Sequence, residues 1–266
     1  PLLLSLRGSG PISDWKATLK AHMADTQLVS ASFGMQTGPD EIILSAQSKL
    51  FPLPLLPQKL TSLLPEIERI DADFAATANP ELYSFQLQRA FLQSKLVSIH
   101  LQGAADLIDK NIDAVGSMHL PNLKLLQPLL NMPLSGAARL DCIASGTMSR
   151  PELDVSTELS DLQVQNIQVQ KANLSLQPRL KRSTQGHLEQ IVLCGAFNAD
   201  TVHQGNAPIL PGPLKTTFQG TFYPSTKDVD VKSLRLNLPG MEAMLSGQAQ
   251  GSGQFQAHMR TDIEDV

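Results

Sequence analysis

Six histidines, His22, His100, His119, His187, His203 and His258, are the side chains best able to move a proton or hold a metal near neutral pH. They are scattered, and no two are spaced as metal ligands are. His22, His100, His119 and His258 sit on the polar side of alternating runs. Glu152 and Asp154 share one strand face, but it is the wet one. There is no Gly-x-Ser-x-Gly elbow and no glycine-rich phosphate loop. The chain is therefore expected to be no enzyme, with no catalytic residue, metal or cofactor. Cys142 and Cys194 read as two separate half-buried thiols; their pairing in an oxidising compartment stays open, since two thiols make no disulfide scaffold. Asn173-Leu174-Ser175 matches a glycosylation acceptor, a pattern short enough to recur by chance.

The chemistry left to such a chain is that of its apolar side chains. Of the 266 residues 42% are hydrophobic and only 17% charged, below the usual charged share of about 25%. Gln, Ser, Thr and Asn supply the remaining polarity. The net charge of −4, without a basic tract, argues against a nucleic-acid partner. No apolar stretch reaches the roughly 20 residues of a membrane-crossing helix. The chain opens at Pro1 without leader or anchor, and the expectation is an internal stretch of something longer.

Period-2 alternation organises those side chains. From Trp15 to Met23 every odd position is apolar and every even one polar, which makes a nine-residue strand with one dry side. The same pattern recurs from Val29 to Met35, Ala72 to Ala78, Tyr83 to Leu87, Val97 to Leu101, Ile112 to Leu120 and Ala138 to Ala144. It continues through Leu153–Leu159, Leu174–Leu176, Leu214–Phe222, Leu234–Leu238, Ala243–Ala249 and Phe255–Met259. A glycine-centred phrase punctuates it: Ser9-Gly10-Pro11-Ile12-Ser13-Asp14 is echoed by Ser145-Gly146-Thr147-Met148-Ser149-Arg150 and, more faintly, by Gly251-Ser252-Gly253. Each joins two alternating runs, as a hairpin does in a repeating β architecture. Helical spacing is confined to two short amphipathic segments, 53–64 and 121–130. They either cover sheet edges or gate the mouth of a groove.

The dry faces need a cover. One solution is a second sheet and a closed core. The other is a curved sheet around an apolar lumen, which the small residues on the dry side favour: Ala17, Ala21, Ala31, Ala76, Ala114, Gly116, Ala138, Ala144 and Ala249. A membrane barrel needs aromatic girdles, and Trp15, Tyr83 and Tyr223 cannot make two.

Three phrases, in this order, carry a resemblance. Leu6-Arg7-Gly8-Ser9-Gly10-Pro11-Ile12-Ser13-Asp14-Trp15 resembles a strand junction of the TamB family, the translocation and assembly module proteins. Asn122-Leu123-Lys124-Leu125-Leu126-Gln127-Pro128-Leu129-Leu130 is similar to that family's short helix. Pro133-Leu134-Ser135-Gly136, then Ser145-Gly146-Thr147 and Arg150-Pro151, follow as in the family. The resemblance covers roughly residues 4 to 180. It implies an all-β, long antiparallel β-taco, an open curled sheet with a hydrophobic lumen, formed here by 1–266 as one continuous segment. It further implies a periplasmic location, within an inner-membrane-anchored protein of a diderm bacterium. The implied role is a conduit carrying phospholipid between inner and outer membrane, linked to outer-membrane assembly. The implied partners are phospholipid acyl chains and, through parts outside this stretch, an outer-membrane barrel of the assembly-module type. On that reading the acyl chains touch Trp15, Leu19, Val29, Phe33, Phe74, Tyr83, Phe85, Leu87, Val97, Ile99 and Leu101, then Leu140, Leu153, Val155, Phe218, Phe222, Leu236 and Phe255. Two other readings stay open: a chaperone whose free edges capture client strands, and an extracellular adhesin-like scaffold with a filled core.

Overall fold

The computed structural model describes residues 2–52, 69–182, 187–205, 207–209 and 212–263. It is all-β and antiparallel, and it divides into two compact units, residues 1–131 and 132–266.

Unit 1 is a meander of eight strands: β1 (Leu2–Ser9), β2 (Asp14–Met23), β3 (Thr26–Thr37), β4 (Ile42–Leu50), β5 (Ile70–Asn79), β6 (Ser84–Gln93), β7 (Ser98–Asp106) and β8 (Asn111–Leu120). Each pairs with the next, and no pairing among the described residues closes β1 onto β8, so this sheet is open. Unit 2 contains β9 (Leu134–Thr147), β10 (Arg150–Val164), β11 (Ile167–Arg182), β12 (Leu188–Ala199), β13 (Val202–Gln204), β14 (Ala207–Pro208), β15 (Leu214–Tyr223), β16 (Asp228–Leu238), β17 (Met241–Ala249) and β18 (Phe255–Ile263). β9 to β12 pair in sequence, β12 then pairs β15, and β15 to β18 complete the meander, while β13 and β14 form a small flap on β11. Among the described residues no pairing closes this sheet within its unit either.

Residue preference alone does not make these strands. β2 reads DWKATLKAHM and β6 SFQLQRAFLQ, rich in Ala, Leu, Lys and Gln, which favour helices. The period of 2 decides, because a helix would scatter these apolar residues around its whole circumference. The glycine-centred phrases are hairpins, as expected. Gly10 (φ 101°), Gly146 (φ 94°) and Gly253 (φ 92°) take the left-handed conformation at the β1–β2, β9–β10 and β17–β18 reversals. At Gly10 a Cβ would run into the Asp14 carbonyl oxygen, so the turn has no room for any other residue.

The helix expected over 53–64 lies outside the described residues. The one expected over 121–130 is shorter: a 3-10 turn at Leu123–Leu126 runs into α1 (Gln127–Leu130). The Asn122 carboxamide accepts from the Lys124 N–H at 3.0 Å to begin it, and Asn131, left-handed at φ 51°, ends it. Pro121 precedes the capping Asn122, so only the residues beyond the cap can turn helically.

Candidate functional site

The site is a sheet face, and the register builds it. In unit 1 one cross-strand row reads Gly8–Ala17–Phe33–Ala46–Phe74–Ala90–Leu101–Gly116. Large and small side chains alternate along it, so each ring lies over a small neighbour instead of colliding with another ring. Neighbouring rows are apolar too: Trp15–Met35–Leu44–Ala76–Leu87–Gly103–Ala114 on one side and, interrupted by Ser48, Leu6–Leu19–Ala31–Ser48–Ala72–Leu92–Ile99–Met118 on the other. The glycines belong to the design. A Cβ on Gly8 would meet the Trp15 indole at 3.1 Å, and one on Gly116 would meet Leu101 at 2.8 Å. The opposite face carries Thr18–Ser32–Gln47–Asp73 and Lys20–Ser30–Lys49–Asp71.

Unit 2 repeats the arrangement. One row reads Cys142–Val155–Leu176–Gly195–Phe218–Leu234–Leu245–Met259, and the next reads Leu140–Thr157–Leu174–Phe197–Thr216–Leu236–Ala243. Phe222 and Val229 join Ala249 and Phe255 in a further row. Its other face is polar and laced with ion pairs, Arg139 to Asp141 at 2.8 Å and Lys171 to Glu158 at 2.9 Å. The Lys171 hydrogen bond holds the Glu158 carboxyl below its ordinary range, and the same contact raises the Lys171 ammonium. Both pairs are exposed, so each contributes little stability.

Sixteen of the expected contact residues thus fall on one face of their own unit: Trp15, Leu19, Val29, Phe33, Phe74, Phe85, Leu87, Ile99 and Leu101 in unit 1, then Leu140, Leu153, Val155, Phe218, Phe222, Leu236 and Phe255 in unit 2. Two do not sit in strands. Tyr83 adopts φ 47° in the β5–β6 turn and is 62% exposed. Val97 lies in the β6–β7 turn, where its carbonyl accepts from the Ser94 N–H at 2.8 Å. In both cases the hairpin closes one residue inside the alternating pattern. The register adds residues that alternation did not mark, among them Leu44 on β4 and Leu193 and Phe197 on β12. Ile42-Ile43-Leu44 and Ile191-Val192-Leu193 are apolar on both faces, so no period of 2 is visible there.

This apolar face is bare. Among the described residues the buried apolar side chains are mostly small: Ala17, Ala21, Ala31, Ala76, Ala172 and Ala199, with Leu28, Leu123 and Leu134. Of the large ones, Phe33 and Phe85 are near 38% exposed and Phe255 is at 74%, while Leu19, Leu44, Phe74, Leu87 and Phe218 are half-buried. The accessible surface totals 17207 Å². A compact chain of 28.8 kDa exposes about 11,000 Å², and even two separate compact bodies of half that mass expose only about 13,700 Å². Across the eight strands of unit 1 the face measures roughly 34 Å, at ~4.8 Å per strand. Soluble proteins rarely leave more than a few hundred Å² of contiguous apolar surface open.

The cysteines are resolved by the same register. Cys142 pairs with Val155 on the apolar face, whereas Cys194 lies beside Gly195 and therefore on the polar one. They stand three strands apart on opposite faces, and both are free thiols. Among the described residues no group of His, Cys, Asp or Glu could hold a metal.

At the first residue of β16, the Asp228 carboxylate accepts from the Gly251 N–H at 2.9 Å, which with the Thr226 side chain holds it below its ordinary value of 3.8. A depressed carboxyl adds stability above its unfolded pKa, and that stability is lost as pH falls through the folded one. Asp228→Asn is therefore expected to lower the unfolding midpoint at pH 7, with the difference vanishing well below pH 3.8. Paired urea titrations across that range check it.

No family model, curated protein or solved structure matches this chain. Its function has to be argued from the face itself.

Proposed function

We propose that each unit is a hydrophobic channel wall, an open curled sheet whose apolar face carries phospholipid acyl chains. The observation that carries this reading is the bare apolar face, continuous across eight strands of unit 1 and lined by half-exposed Phe33, Phe85 and Leu101. An acyl chain spans about half of the ~30 Å hydrocarbon core of a bilayer, so a face of this width accommodates one in any orientation. Bulges between Ala21 and His22, Ala75 and Ala76, and Leu87 and Ala90 support the curl, because a bulged strand bends and twists more strongly. Alternation of rings with alanines leaves shallow furrows without a closed pocket. Each buried CH₂ contributes about 0.8 kcal/mol wherever it sits, so such a wall holds chains weakly at many positions. Weak, repeated sites suit passage better than storage.

This role agrees with what a TamB-like protein does. We extend the proposal to phospholipid transport across a diderm periplasm, in a protein anchored in the inner membrane and partnered with an outer-membrane assembly barrel. A second reading, capture of client strands, is favoured by β1. Its sequence LLLSLRGS is exposed along its whole length, and within unit 1 it pairs on one side only.

The deciding experiment is detergent-free purification from a bacterial host, solvent extraction and lipid mass spectrometry beside a mock preparation. Phospholipid at near-stoichiometric ratio or above is expected. Lipid no higher than the mock, from folded protein, refutes the conduit and leaves strand capture in front.

A further inference from the structure

The polar face of unit 1 holds a feature that acyl-chain binding does not use. A depression of about 420 Å³ opens over β2 to β5, within the ~300–1,000 Å³ range of ligand sites. Two cross-strand rows floor it, Lys20–Ser30–Lys49–Asp71 and Thr18–Ser32–Gln47–Asp73.

Its carboxylates are already engaged. Arg69 lies 2.6 Å from Asp71, while Arg89 and Gln47 both hold Asp73, the latter at 2.9 Å. Its ammonium groups are not. Lys16, on the same strand face as Lys20, pairs with Asp14 at 3.7 Å, but neither Lys20 nor Lys49 has an ion pair or hydrogen bond among the described residues. The two lysines flank Ser30, one strand to either side, which puts their Cα atoms about 10 Å apart. Two four-carbon side chains close that gap around one small ion. The hydroxyls of Ser30, Ser32 and Thr18 sit between and beside them as neutral donors. Among the described residues the pocket therefore has two ammonium groups without an ion pair, and hydroxyl donors beside them, in a chain whose net charge is −4.

We propose that this depression binds a phosphate-type oxyanion, a phosphomonoester held between Lys20 and Lys49 with the hydroxyls of Ser30 and Ser32 donating to its remaining oxygens. Ammonium–phosphate hydrogen bonds are charge-assisted and among the stronger ones available to an open site. Phe91, at the rim with its ring centroid 4.4 Å from that of His100 and tilted 46° to it, offers an apolar wall to whatever carries the phosphate.

The test uses the intact chain and the double variant Lys20→Gln/Lys49→Gln. Both side chains are exposed and have no ion pair among the described residues, so the variant is expected to keep the wild-type fold by circular dichroism. Glycerol 3-phosphate and inorganic phosphate are titrated by calorimetry at low and high salt. Saturable binding that weakens with salt and falls at least about tenfold in the double variant supports the site. Flotation with phosphatidylcholine vesicles containing phosphatidic acid separates the sources. Retention that the double variant loses assigns a membrane headgroup, whereas soluble binding without retention assigns a free phosphoester. Absence of saturable binding in both formats, or binding undiminished in the double variant, overturns the proposal. The site lies on the face opposite the acyl-chain wall, so it fails or stands independently of the conduit.

Discussion

Phe33→Asp is expected to strip unit 1 of bound phospholipid while leaving it folded. Phe33 sits mid-strand on β3 between Ala17 and Ala46, in the row that also carries Phe74 and Leu101. On the proposed reading a carboxylate placed there faces acyl chains with no charged partner, since its direct cross-strand neighbours are Ala17 and Ala46 and the nearest polar group on that face is the Ser48 hydroxyl. Transferring an unpaired charge into such surroundings costs several kcal/mol, so occupancy is expected to fall at least about tenfold. The cost to folding is smaller. Phe33 is 37% exposed, and losing its partial burial removes only about 1–2 kcal/mol. Phe33→Leu keeps the surface apolar and is expected to retain lipid. Quantitative lipid extraction from the three proteins, matched for circular dichroism, gives the comparison. Undiminished lipid in folded Phe33→Asp would remove the aromatic row from the pathway.

Gly195→Val acts on the second unit through space. Gly195 pairs with Leu176 and Phe218, and the Phe218 ring occupies the position a Cβ would take; the Ser175 carbonyl oxygen lies 2.6 Å from that position. A ring can turn aside, but a carbonyl inside a sheet cannot move without breaking its ladder. Destabilisation of about 2–3 kcal/mol is expected, read as a lower urea midpoint with unchanged slope. Phe218→Ala in the same chain is expected to recover part of the loss, because the ring clash goes and the carbonyl clash stays. A double-mutant cycle with no coupling between the two positions would contradict the stacked arrangement.

The two experiments test different levels of one design. A single-layer sheet has no opposing layer to fix its side chains, so it positions them across strands. Rings settle over glycine and alanine, as Trp15 does over Gly8 and Phe218 over Gly195. That packing makes the face coherent without covering it. The same residues that stabilise the sheet laterally therefore remain available to a ligand.

How much of this was legible in the residues follows from the physics of alternation. A period of 2 is local: Trp15 to Met23 names its own dry side whatever it pairs with, and a glycine at positive φ marks its own reversal. Strand type, most strand positions, the three glycine hairpins and the apolar character of one side were therefore fixed by sequence alone. So was the membership of sixteen of the expected contact residues in a dry stripe. Where both sides of a strand are apolar, as at Ile191-Val192-Leu193, the period disappears and the element was not visible. Hairpin closure shifts by a residue without changing the pattern, which is why Tyr83 and Val97 fell in turns.

Register is a different matter. It depends on which residue of one strand meets which of the next, and turn geometry and bulges set that. Only the tertiary structure could alternate Phe33, Ala46, Phe74 and Ala90 along a single row, or put Cys142 and Cys194 on opposite faces. It alone brought Lys20 and Lys49, 29 positions apart in sequence, to either side of Ser30. Within each unit it also left large side chains of the dry face, Phe33, Leu101 and Phe255 among them, exposed. Whether an apolar stripe meets a partner layer is a property of the whole fold, and no window of the sequence contains it.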